Sequence, residues 1–103
     1  MADNNGTIYV AHWTHSPENC PGRSNEGAKM LSDFWNRRDE AAKNGVKILG
    51  AYATVTEHDY YFIVQAEDYS AMVKFFLPLV PTQTGSFRPV LPMDEWLRIN
   101  QPK

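Results

Sequence analysis

The side chains able to do chemistry are few in this chain, and they are unevenly placed. His12, His15 and Cys20 stand in the run His12-Trp13-Thr14-His15-Ser16-Pro17-Glu18-Asn19-Cys20-Pro21, and the remaining histidine, His58, stands in Glu57-His58-Asp59. Imidazole and thiolate together suit zinc, copper or iron, and three or four such donors at about 2.0–2.3 Å make a metal site. One reading is therefore a metal centre of His12, His15 and His58, with Cys20 as an optional fourth ligand. The spacing matches no standard metal motif. Strand alternation also puts His12 and His15 on opposite faces unless the strand ends at Thr14.

An acid–base reading needs fewer coincidences. It asks for one histidine with a pKa near neutrality, oriented by a carboxylate inside an apolar cavity. His12 is the first choice, because alternation puts it on the strand face of Ile8 and Val10, which reads as interior. His58, flanked by Glu57 and Asp59, is its expected partner, and a tyrosine, Tyr60 foremost, supplies a phenol to polarise a carbonyl. The competing use of His12 is that of a buried histidine satisfied by a backbone carbonyl. Trp13, Trp35, Tyr52, Phe62 and Phe76 are candidate walls of a pocket for a flat apolar ligand, and Arg88 is a candidate partner for an anionic one. In the competing use the aromatics are core and Arg88 pairs with a surface carboxylate.

These residues need elements to hold them. Residues 7–14 are β-branched and aromatic and predict a first strand ending near His15. Ser16-Pro17-Glu18 predicts a capped turn, which Pro21-Gly22 breaks. Apolar residues at Ala28, Leu31, Phe34, Trp35, Ala41 and Ala42 predict one helix over 25–44, stopped by Lys43-Asn44-Gly45. A hairpin follows, with strands at 46–55 and 60–66 about a turn at 56–59. Asp68 caps a second helix that buries Met72, Phe75, Phe76 and Leu79 and must be ending by Pro78. Residues 84–91 predict a last strand, which Pro89 and Pro92 mark as irregular or at an edge, and 93–99 a short terminal helix.

The order strand, helix, strand, strand, helix, strand is the split βαβ pattern, so the expected fold class is α+β: a ferredoxin-like βαββαβ antiparallel sheet with two helices on one face. In that topology the end of the first strand lies beside the start of the third, so His12 and His15 approach His58 and Asp59. The Cys20 loop leaves from the same edge, and Thr82, Gln83 and Thr84 arrive there. Both sheet faces are apolar, with Tyr60, Phe62 and Val64 opposed to Tyr61 and Ile63. The face without helices therefore predicts a homodimer in which a second sheet covers it.

On that element order, over residues 7–98, the chain resembles the dimeric α+β-barrel superfamily, whose two four-stranded sheets close into one barrel across a dimer. The segments Trp13–Pro21 and Glu57-His58 resemble those of a group of short, functionally uncharacterised proteins within it. The wider superfamily includes cofactor-free monooxygenases, polyketide cyclases, muconolactone isomerases, haem-handling enzymes and plain ligand binders, so the resemblance implies a fold and not a reaction.

Composition bounds the rest. The chain has 103 residues, 43% apolar and 13% aromatic, which suits one small globular domain spanning 1–103. Ten basic residues against twelve acidic ones, with no basic run beyond Arg37-Arg38, give no support to nucleic-acid binding. No apolar stretch approaches the roughly 20 residues of a membrane span, and the polar start lacks a signal-peptide core. One cysteine fits a reducing compartment, so the expected location is cytoplasmic, with the Asn5-Gly6-Thr7 sequon idle. Three functions are consistent with this. The first is a homodimeric binder of a small organic molecule, acting as a cofactor-free monooxygenase, isomerase or cyclase through His12. The second is a zinc, copper or iron protein. The third is a non-catalytic regulatory or assembly module.

Overall fold

The computed structural model describes residues 6–102. Four strands, β1 (Thr7–Thr14), β2 (Val46–Thr54), β3 (Asp59–Ala66) and β4 (Thr84–Val90), form one sheet in the order β2-β3-β1-β4 with every neighbouring pair antiparallel. Helices α1 (Asn25–Asn36), α2 (Arg38–Lys43) and α3 (Tyr69–Phe76) complete the ferredoxin-like α+β arrangement, and α4 (Met93–Ile99) follows the last strand. Pro89 is accommodated as expected, because β4 is an edge strand.

The core lies on one side of the sheet. Ala11, Trp13, Phe62, Val64 and Ala66 from the strands pack against Phe34, Met72, Phe75 and Phe76 from α1 and α3. Small residues on this face let the layers approach. Gly85 pairs with Trp13, and the indole lies flat on it, so close that an added Cβ would overlap the ring. The indole in turn stacks on Phe76 at 5.6 Å and meets Phe87 edge-on at 5.8 Å. The other face carries Ile8, Val10, His12, Tyr61 and Ile63, all partly exposed.

One predicted helix is two. The stretch 25–44 breaks at Arg37 (φ −89°, ψ 3°), whose amide reaches back to Phe34 while its guanidinium donates to the carbonyl of Phe75 on α3. The break is tertiary in origin, since Asn36-Arg37-Arg38 contains no helix breaker. The expected turn at 56–59 is a 3₁₀ turn, Val55–Glu57, followed by His58 in the left-handed region (φ 61°, ψ 39°). A bulge between Ile48 and Gly50 shifts the β2–β3 register.

Candidate metal centre

His15 continues the alternation of β1 by one residue, so its ring falls on the helix-covered side with Trp13. Its backbone amide donates to the carbonyl of His58 at 3.2 Å, and the Thr14 hydroxyl donates to the same oxygen at 3.2 Å. These two bonds lock the end of β1 to the turn before β3. They bring the two imidazole rings to 5.2 Å at 71°. The left-handed backbone at His58 aims its ring inward, a conformation histidine adopts more readily than most residues.

Cys20 arrives on the loop between β1 and α1. Its amide closes a 3₁₀ turn onto Pro17, and Pro21 then buries itself against α1. Gly27 makes that approach possible, because a Cβ there would stand 2.8 Å from the Pro21 carbonyl oxygen. Asn19 ties the loop to the carbonyl of Thr82 at 3.3 Å. His15, Cys20 and His58 each offer one ligand atom, all within 4.8 Å of one another. Donors around a tetrahedral ion with bonds of about 2.0–2.3 Å stand roughly 3.3–3.8 Å apart, so the widest spacing in this set is about 1 Å larger than a bound ion would set.

The polar atoms around the cluster are largely unsatisfied. His15 is 8% exposed, and neither of its ring nitrogens has a hydrogen-bond partner; His58 Nδ1 is likewise buried and unpartnered. Gln83 is 3% exposed with both amide atoms unpartnered by geometry. It nonetheless lies close enough to His15 to act on its charge. Burial lowers the pKa of His15 and the nearby His58 lowers it further, while Gln83 and Asp59 oppose the shift. The lowered value favours the neutral, ligand-competent imidazole. The Tyr60 ring lies 5.5 Å from that of His15, and burial, then the Cys20 thiolate, push its phenol pKa up.

The structure thus brings together His15, Cys20, His58 and Tyr60 and leaves His12 apart. The His12 ring stacks on Tyr61 (4.7 Å, 3°) on the helix-free face, its side chain 42% exposed, with Nε2 3.3 Å from Asp59 Oδ1. His12 therefore lies on the sheet face away from the helices and not among the core side chains of Trp13 and Phe62. The Asp59 carboxyl is held below the usual range by the Thr14 hydroxyl foremost and by His12. Trp13 and Phe76 lie in the closed core, and Arg88 is exposed on the His12 side, opposite Val10. Topology alone brings Gln83 to this end, and its residue type points to no role there. Its signal was position alone, immediately before the last strand.

Trp35, Tyr52, Tyr60 and Phe62 share a second feature. With Leu31, Ala51 and Ala53 among their neighbours they line a groove of about 390 Å³ between α1 and the β2–β3 edge. Tyr60 therefore touches both the groove and the histidine cluster.

Among the described residues no helix is long and apolar enough to cross a membrane. Residues 7–103 match the model of a family described as a domain of unknown function, DUF3303. No curated protein and no solved structure matches the chain.

Proposed function

The chain belongs to the DUF3303 family, and from the geometry of its histidine cluster we propose that it is a metal-binding protein with a mononuclear centre held by His15, Cys20 Sγ and His58 Nδ1. The observation that carries this reading is the pair of buried, unpartnered nitrogens of His15. An orphaned buried donor or acceptor costs about 1–3 kcal/mol, and an imidazole has no neutral form that avoids needing a partner at each nitrogen. A metal on one nitrogen, with the other donating to the amide oxygen of Gln83, removes both penalties. That outer hydrogen bond is the usual companion of a metal-bound histidine.

One thiolate and two imidazoles suit zinc, with copper and iron as competitors. Three protein ligands leave a fourth position open, which is the arrangement of zinc sites that act on a ligand rather than serve as staples. The acid–base reading at His12 has less support. Its ring is partly exposed and faces the Asp59 carboxylate on the sheet face away from the helices.

The test is metal per chain, by mass spectrometry on untagged protein, in the wild type and in His15→Ala, His58→Asn and His12→Ala. Asparagine keeps the left-handed backbone at 58. Near one ion per chain is expected in the wild type and in His12→Ala, with loss in the other two. Wild-type protein that is isolated without metal and takes up none of zinc, copper(II) or iron(II) on titration would end the proposal.

A further inference from the structure

We infer that α4 is a docking arm, and that it seats on the helix-free sheet face of a second copy of this chain, the two copies covering each other reciprocally. The inference is independent of the metal reading above.

The arm has the pattern of a core-facing helix and no core to face. At about 100° per residue, Ile99, Trp96, Met93 and Leu97 fall in one stripe about 160° wide, and Asp94, Arg98 and Glu95 fill the opposite side. Yet no residue of α4 is buried, and the four apolar ones are each 47–67% exposed. Leu91, on the link from β4, is exposed as well. A helix of seven residues cannot hold itself in water by its own few bonds. Its polar side is already served by the Arg98–Glu95 pair, so the contact it lacks is along the apolar stripe. Pro92, extended at φ −55° and ψ 143°, leads the chain into α4 without turning it back onto the domain. The radius of gyration, 15.5 Å, exceeds the value of about 13 Å for a chain of this length packed into one body, as a projecting arm requires.

The second uncovered surface is the sheet face of Ile8, Val10, Tyr61 and Ile63, all partly exposed. One chain thus carries one apolar stripe and one apolar face. Two copies in a closed, self-complementary pair cover both, whereas a different partner on the arm leaves the sheet face in water. The charges agree with this choice. Lys47 on β2 and Arg88 on β4 share the helix-free face and flank its apolar strip, while Asp94 and Glu95 border the stripe of α4. The area is also sufficient. Large apolar side chains present about 200 Å² when fully exposed, so Leu91 and the four of α4 at about half exposure offer roughly 500 Å² per arm. Two arms and the two surfaces that receive them then bury about 2,000 Å², against about 1,200–2,000 Å² for a stable interface.

The experiment uses the full-length protein. Sedimentation velocity is expected to show a dimer, and Leu97→Asp to weaken it at least tenfold while far-ultraviolet circular dichroism shows the sheet retained, since position 97 packs on nothing within its own chain. With the photo-cross-linker p-benzoylphenylalanine at position 96, a mixture of isotopically light and heavy protein should yield cross-links from 96 to residues 8–12 or 59–65 of the other copy. A monomeric wild type overturns the inference. A Leu97→Asp dimer as tight as the wild type overturns the arm and leaves a pairing of sheets alone. Cross-links confined to the same chain show the arm folding back on its own domain, and overturn it equally.

Discussion

Replacing Gly85 by alanine tests the packing that fixes the end of β1. An alanine Cβ there would stand 2.6 Å from Trp13 Cε3 and closer still to Cδ2 and Cε2, atoms of a fused ring that cannot bend aside. The indole must therefore slide as a unit, and it is 4% exposed between Gly85, Phe76 and Phe87. Full burial of a tryptophan removes roughly 200 Å² from water, worth about 5 kcal/mol, which caps the loss. Overpacking with partial relaxation costs about 1–3 kcal/mol, and the entropy relief of removing a glycine returns about 0.5–1 kcal/mol. A net destabilisation of about 1 kcal/mol at mid-range follows, within a span of about 0–2.5 kcal/mol, or a fall in Tm of roughly 5–10 °C for a domain of this size. Urea unfolding followed by circular dichroism and by fluorescence measures it. The same substitution in a Trp13→Leu background should cost less than half as much, since the rigid ring is gone. Equal cost in both backgrounds, or no cost in either, would refute the account of Gly85 as the seat of the indole.

Ser24→Ala removes the oxygen that accepts from the Gly27 amide at 3.0 Å at the start of α1, and should cost about 1 kcal/mol, read as a drop of several degrees in Tm. Ile63→Lys puts a charge in the middle of the helix-free face, between Val10 and Gly50. If that face is the expected homodimer interface, sedimentation velocity should show a dimer for the wild type and a monomer for the variant. A monomeric wild type would remove the dimer. Met72→Ala, at a fully buried position, should cost about 2–5 kcal/mol by denaturant titration; a value below 1 kcal/mol would mean the core closes over the gap.

Much of the fold was legible because its signals are local. The runs Thr7–Thr14 and Tyr60–Ala66 are β-branched and aromatic, Asp68 accepts from the Ser70 amide as a cap, and Lys43-Asn44-Gly45 ends the helical stretch. The break at Arg37 was not legible, because its cause is a carbonyl on α3 distant in sequence. The left-handed turn at His58 was hidden for a related reason. Histidine carries no turn signal comparable to glycine or asparagine, and the backbone there is set by bonds from the end of β1.

The candidate site turned on a choice the apolar pattern does not make. Alternation says that Trp13 and His15 share one face of β1 and that His12 shares the other with Ile8 and Val10. It does not say which face the helices cover, because both are apolar. Side-chain size does carry that information. Ala11, Ala51, Ala66 and Gly85 lie on the face of Trp13, and only a face thinned in this way admits α1 and α3 at contact distance while still seating an indole. His15, not His12, therefore enters the desolvated side, with Cys20 and His58 at the same sheet end. Ala51 on that same face also lines the groove beside β2, so the groove and the burial that leaves His15 unpartnered lie on one side of the sheet.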